Sequence, residues 1–223
     1  MFTRYKTKGF IFRKRDFREA DRIFSIFTRD YGVLEILAKG ERKITSKLRG
    51  ALELFYLSEI EFIQGKTYKT LTDAALLEPF RNIRIDLEKL ETAFRISEIL
   101  RNFLKFQEPD EKIWNLILAT FKKLTMHQHQ ELAPTPGVGY IYHYFLWNFL
   151  SNLGYQPELK NCILCQTSIR DEQLIHFSLK EGGVICQNCF KKMDLKEKIY
   201  ISKIGSDKGL EILSEDFLSF LSN

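Results

Sequence analysis

A chain of 223 residues with 44% hydrophobic and 13% aromatic content carries too much apolar side chain for a disordered polymer. Its 34 Lys and Arg against 29 Asp and Glu give a formal charge of +5, an average too mild to select a class of partner. The distribution says more: residues 1–50 hold 14 basic and 6 acidic groups, residues 51–80 hold 2 and 5, and residues 81–223 balance at 18 each, so the positive field is local to the N-terminal segment.

The length suits one or two domains plus a small module, and no membrane-spanning segment is expected. The apolar stretch 9–12 is stopped at once by Arg13, Lys14 and Arg15, which is not the pattern of a secretory signal. The expected compartment is the reducing cytoplasm, where the four cysteines stay thiols or bind metal.

Residues 9–13 alternate Phe10 and Phe12 against Ile11 and Arg13, and residues 21–28 alternate Ile23, Ser25 and Phe27 against Phe24 and Ile26. Asp30-Tyr31-Gly32 predicts a tight turn, Gly32 taking positive φ, into a strand over 33–39 that points Leu34, Ile36 and Ala38 inward. A basic stretch over 39–49 leads to a strand over 57–63, a turn at Gln64-Gly65-Lys66 and a strand over 67–71. Five short strands within 80 residues suit a small closed barrel, because so short a sheet cannot bury itself as one open layer.

From Leu87 the period becomes helical, through Leu90, Phe94, Ile99, Leu100, Phe103 and Leu104, until Pro109-Asp110 ends one helix and starts another over 111–124. Trp114, Ile117 and Phe121 share one face of the second helix. A polar connection precedes a third, aromatic helix over 140–153, and an amphipathic helix from about Ser206 to Leu221 completes a small bundle.

Between the last two helices lie all four cysteines, as Cys162-x-x-Cys165 and Cys186-x-x-Cys189 with 20 residues between the pairs. This is zinc-ribbon spacing: two residues between thiolates let one turn present both sulfurs at about 2.3 Å to a tetrahedral ion, and two such turns complete the shell. Residues 174–179 alternate like a hairpin strand, and Gly182-Gly183 supplies the return. The plainer readings are unrelated buried thiols or two redox pairs, but a thioredoxin-type pair expects a βαβ setting. One structural Zn2+ held by Cys162, Cys165, Cys186 and Cys189 is therefore expected. His176, in an alternating strand, reads as a packed or solvated histidine rather than a ligand, and His127 with His129 as solvated loop.

No catalytic arrangement emerges. A phosphate loop ending at Gly65-Lys66-Thr67 would need Gly where Ile60 stands, and a zinc deaminase would need H-x-E and a proline before one cysteine pair. The chain is expected to be neither an enzyme nor a nucleotide binder. Instead two basic clusters, Arg13, Lys14, Arg15, Arg18 and Arg22, then Lys39, Arg42, Lys43, Lys47 and Arg49, flank the hairpin after Asp21. Cations in a barrel groove neutralise phosphates with little sequence readout. Tyr5, Phe17 and Tyr31 are candidate stacking residues, against the plainer reading of core packing. The plainer reading of the charges is a solvated face relieved by Asp16, Glu19, Asp21 and Glu41.

The chain resembles the RecO family of bacterial recombination mediators. The resemblance lies in RKRDFREADRI at 13–23, FTRDYG at 27–32, AKGERK at 38–43 leading to SKL at 46–48, LGYQPEL at 153–159, and FS at 177–178 with GGVIC at 182–186. It implies an α+β multidomain fold: an N-terminal OB-fold β-barrel over 1–80, a helical bundle over 81–156 closed by a last helix within 196–223, and an inserted four-cysteine zinc finger over 157–195. It further implies a nucleoid-associated protein that binds single- and double-stranded DNA, anneals complementary strands, and works with RecR. Such a protein binds the C-terminal tail of single-strand binding protein and helps load RecA. The alternative is a zinc-ribbon transcription or RNA-binding accessory factor.

Overall fold

One long strand organises the N-terminal half. β1 (Arg4–Phe17) pairs antiparallel with β4 (Leu57–Ile63) through residues 4–10 and with β2 (Asp21–Thr28) through residues 9–17, with a register shift between Ile11 and Arg13. The structure, a computed structural model, describes residues 3–65, 67–104, 108–127, 138–155, 157–169, 175–178, 181–193 and 201–204. β3 (Gly32–Ala38) follows β2 across a turn where Gly32 has φ +64, as the sequence predicts. β5 (Lys69–Glu78) pairs antiparallel with β4 and parallel with β3 through Ile36↔Lys69 and Leu37↔Thr70, which closes a barrel of order β1-β2-β3-β5-β4. This is the expected OB-type barrel.

β1 and β5 are longer than the sequence pattern predicts. The basic residues around the apolar stretch 9–12 interrupt that pattern, yet they obey the period of two: Arg4, Lys6 and Lys8 are exposed while Tyr5 and Thr7 turn toward the interior. A strand serving two partners in sequence needs this length, and the register shift supplies the bend.

The barrel interior holds Ile11, Phe24, Ile26, Leu34, Ile36, Ala38, Ile60, Phe62 and Leu71, with Leu52 contributed by the segment between β3 and β4. Part of the outer wall is buried too. Phe10 packs on Phe121 with ring centroids 4.5 Å apart, and Phe27 on Trp114 at 6.3 Å, so helix side chains cover β1 and β2 there. Gly9 is paired on both sides, to Thr28 and Ser58, and a Cβ at this position would fall 2.4 Å from Ile26 Cγ2. Gly9→Ala should therefore lower stability by about 1–3 kcal/mol through overpacking, measurable as a reduced urea midpoint at unchanged m-value.

α1 (Leu87–Phe103) is capped by Asp86, which accepts from the Lys89 amide, and α2 (Glu111–Met126) by Asp110, which accepts from Lys112 and Ile113. The buried face of α1 keeps Ile99 and Leu100 of the expected one but departs from it in the first half of the helix. Leu87 is 79% and Phe94 50% exposed, while Lys89, Thr92, Ala93, Ile96, Ile99 and Leu100 are buried. Lys89 can be buried because its ammonium donates to the His127 carbonyl at 2.6 Å and lies 3.6 Å from Asp86. α3 (Val138–Asn152) lies in the longest stretch free of Asp, Glu, Lys and Arg, residues 132–157, but no helix among the described residues is long and apolar enough to cross a membrane.

The chain forms two compact units, Met1–Phe145 and Leu146–Asn223. In the second, β6 (Ile175–Ser178) pairs antiparallel with β7 (Gly183–Cys186), the expected hairpin, and also with β8 (Ile201–Ile204), a strand the sequence pattern does not predict. α4 (Gln187–Lys192) follows β7 directly. The helix expected from Ser206 to Leu221 and the His129 side chain lie outside the described residues.

Candidate metal centre and nucleic-acid interface

Two backbone turns bring the cysteines together. In the first, the Cys162 amide donates to the Thr167 carbonyl at 2.8 Å and the Gln166 amide to the Cys162 carbonyl at 2.8 Å. This turn is laced to β7, with the Ile163 amide donating to Val184 and the Val184 amide to Glu158, both at 2.9 Å. In the second, Cys186 ends β7 as the residue before α4, and Cys189 sits within that helix.

All four Sγ atoms lie within 4.8 Å of one another, and Cys165 and Cys186 are 3.7 Å apart. Four sulfurs at about 2.3 Å around a tetrahedral ion stand about 3.8 Å from each other, so the donor set fits such an ion in size and in softness. The backbone already favours thiolate at Cys162: burial pushes its thiol up, but amide donors from Cys186, Cys165 and Leu164 outweigh this and bring it below the usual value. Thr167 holds Cys165 down to about 6, and hydrogen bonding to Cys165 pushes Cys189 up to about 12. Close thiols left to themselves share protons unequally; a divalent cation would take that place. His176 is outside this cluster: it is buried, stacks on Phe190 at 3.7 Å, and hydrogen-bonds Gln187 at 2.7 Å.

The ten basic residues of the barrel divide by their partners. Lys14 bonds to Glu53, Arg15 lies 3.7 Å from Glu35, Arg42 lies 3.4 Å from Asp16, and Arg22 bridges Asp16 at 2.8 Å and Glu41 at 3.2 Å. Arg13, Arg18, Lys39, Lys43, Lys47 and Arg49 are exposed, with no carboxylate partner among the described residues. Two hydrogen bonds gather both clusters: the Gly40 amide donates to Asp21 Oδ1 at 2.7 Å, and the Arg42 amide to the Ala20 carbonyl at 3.0 Å. The basic turn after β3 is thereby tied to the β1–β2 turn that carries Arg18.

Arg13 stands elsewhere, in register with Ser25 and Glu35 on the outer wall. It lines two grooves of about 420 and 390 Å³ that it shares with Phe12 and with Arg101 of α1; Arg95 lines the second. Arg95 and Arg101 lie outside both predicted basic clusters, since residues 81–223 are neutral on average and an average hides local cations; Arg101 is paired with Glu98 at 2.9 Å and Arg95 lies over the Tyr142 ring. Of the candidate aromatics, Tyr5 stacks on Phe62 at 5.4 Å and Tyr31 stands edge-on to both at 5.9 and 5.7 Å, so these two are engaged with a core residue. Phe17 is at the other end of β1.

Residues 1–80 match the family model described as recombination protein O, N terminal, and residues 84–204 match recombination protein O, C terminal. A DNA repair protein RecO from Dehalococcoides mccartyi is 36% identical over 185 residues, covering 83% of this chain and 70% of that protein. A DNA repair protein RecO from Desulforamulus reducens is 30% identical over 185 residues, covering 83% and 68%. Another from Acetivibrio thermocellus is 30% identical over 216 residues, covering 97% and 81%. With these two matches in chain order over a closed barrel and a four-cysteine cluster, the chain belongs to the RecO family.

Proposed function

We propose that this protein is a DNA-binding recombination mediator of DNA repair, acting in the cytoplasm at the nucleoid. It holds single- and double-stranded DNA through phosphate contacts on the barrel, anneals complementary strands and, with RecR, helps load RecA onto DNA covered by single-strand binding protein. The acidic tail of that protein is its further partner. The carrying observation is that six of the ten predicted basic residues, Arg13, Arg18, Lys39, Lys43, Lys47 and Arg49, are exposed with no carboxylate partner among the described residues. Annealing needs two strands held without strong sequence readout, which phosphate neutralisation allows and which requires no nucleotide. Cys162, Cys165, Cys186 and Cys189 hold one Zn2+ as a structural ion, since four protein thiolates leave no position for a water nucleophile.

The test is binding and annealing of complementary oligonucleotides over a salt series. Neutralising Arg13, Lys43 and Lys47 to Gln together should flatten the single-strand salt slope by about 2, roughly 0.7 per lost phosphate contact. Neutralising Arg4 and Lys6, already paired with Glu61 and Glu59, should leave it unchanged. An unaltered slope in the triple variant would refute the assigned surface, and preference for RNA without DNA annealing would favour an accessory factor of another kind.

A further inference from the structure

We propose that the edge-to-face pair Phe17 and Tyr68, with the Arg18 guanidinium over the Phe17 ring, forms a stacking site for an unpaired base, so that this end of the barrel distinguishes single strands from duplex. The proposal deepens the reading of the barrel as a DNA surface and rests on it. The two rings come from different turns: Phe17 ends β1 at the β1–β2 turn, and Tyr68 lies in the β4–β5 loop. Their centroids are 5.7 Å apart at 65°, edge to face, and both rings are partly exposed.

Each ring sits on backbone held by the barrel. Phe17 is paired with Asp21 across the β1–β2 turn, and the residue after Tyr68, Lys69, pairs with Ile36 in the parallel closure of β3 on β5. The loop passes so tightly beneath Tyr68 that a Cβ on Gly65 would fall 2.2 Å from the Tyr68 carbonyl oxygen. Gly65 therefore serves the presentation of Tyr68 rather than a phosphate loop. By contrast, Tyr5 and Tyr31 pack on the buried Phe62.

Arg18 supplies the cation. Its φ is +56, a left-handed conformation that disfavours any residue with a Cβ and that Gly would adopt freely. In this conformation its guanidinium lies 5.2 Å from the Phe17 ring centre, where the negative π-face attracts it. Lys39 and Lys43 flank the same turn through the bonds from Gly40 to Asp21 and from Arg42 to Ala20. A π-face beside phosphate-binding cations suits an unpaired nucleotide, which offers both a base face and a phosphate. In a duplex the base faces are stacked on each other, so only the phosphate contacts remain. Strand pairing then lifts the base off the ring and leaves the product held by charge alone.

The experiment measures binding of a labelled oligo(dT) and of a duplex of equal length to the full chain, by anisotropy across salt. Phe17→Leu and Tyr68→Leu keep apolar volume and lose the ring; each should weaken oligo(dT) binding about 5- to 150-fold at an unchanged salt slope and change duplex binding by less than about twofold. Tyr68→Phe should bind like the wild type. Tyr68→Trp should fold and add to the emission of Trp114 and Trp147 an indole fluorescence that oligo(dT) quenches beyond any change seen in the wild type, a readout that stands if a leucine variant fails to fold. Leucine variants that bind oligo(dT) normally, or no quenching beyond that of the wild type in a Tyr68→Trp protein that binds it, would overturn the stacking site alone. A wild type without salt-dependent DNA binding would overturn the barrel reading together with it.

Discussion

Removing the metal should unfold the cysteine module while the barrel stays folded. Three strands of four residues each make up its sheet, and its buried apolar side chains among the described residues include little beyond Cys162, Phe177, Val184 and Ile185. A sheet this small with so few buried side chains is not stable alone in water. Structural zinc contributes an apparent binding free energy of about 10–16 kcal/mol near neutral pH, and because the site does not exist in the unfolded chain, that energy is folding energy. The turn at 162–167 and β7 are joined by short backbone hydrogen bonds, so loss of the ion should propagate through Val184 and Glu158 rather than stay at the sulfurs. Metal analysis should give one zinc per chain. After chelation, or in Cys186→Ser, hydrogen exchange should lose its protection over 158–186 and keep it over 10–37. Unchanged protection in the module after complete zinc removal would show that side-chain packing suffices and that the ion is incidental. Since thiolates bind the ion and thiols do not, the same loss should follow acidification, with zinc released as pH falls.

Much of this was legible in the sequence, for identifiable reasons. Local signals were reliable: the strand bounds at Asp21–Thr28 and Leu57–Ile63, the turn at Gly32, the Asp110 cap and the cysteine spacing each depend on residues a few positions apart. What was not legible depends on distant partners. The barrel closes through only two parallel pairs between β3 and β5, and no local pattern announces them. β8 joins its sheet at β6, and although Ile201 and Ile204 are strand formers, a four-residue run does not announce which strand it will meet. In α1 the buried face follows Thr92 and Ala93, because small residues admit close packing, while apolar Leu87 remains outside. Charge counting had the same limit. It treated Arg13, Lys14 and Arg22 as equals, but Lys14 is engaged by Glu53, 39 residues away, and Arg22 by Asp16 and the buried Glu41, 6 and 19 residues away.

Arg22→Met should destabilise the barrel unit more than neutralisation of any exposed cation. Glu41 is buried, with its side chain 1% exposed, and Arg22, 23% exposed, is its ion-pair partner at 3.2 Å. Leaving one member of a buried pair uncompensated costs about 3–5 kcal/mol; partial exposure of Arg22 places this case near 3, a fall in Tm of about 10 °C. Removing both charges, Arg22→Met with Glu41→Leu, should recover most of the loss, since the penalty belongs to the stranded charge. The pH dependence has a definite sign. The hydrogen bond from Arg22 holds the Asp16 carboxyl below its ordinary value, so its stabilisation is present above the unfolded-state value and disappears as pH falls through the folded one. Arg22→Met lacks that contribution, so its stability gap to the wild type should narrow below about pH 4. DNA binding separates this role from a phosphate contact. The folded double variant should keep the wild-type salt slope, whereas Arg18→Gln should flatten it by about 0.7 on single strands. An equal loss of slope in the double variant would return Arg22 to the DNA surface. An unchanged slope would leave it as the cation that fixes the basic turn after β3 against β1 and β2.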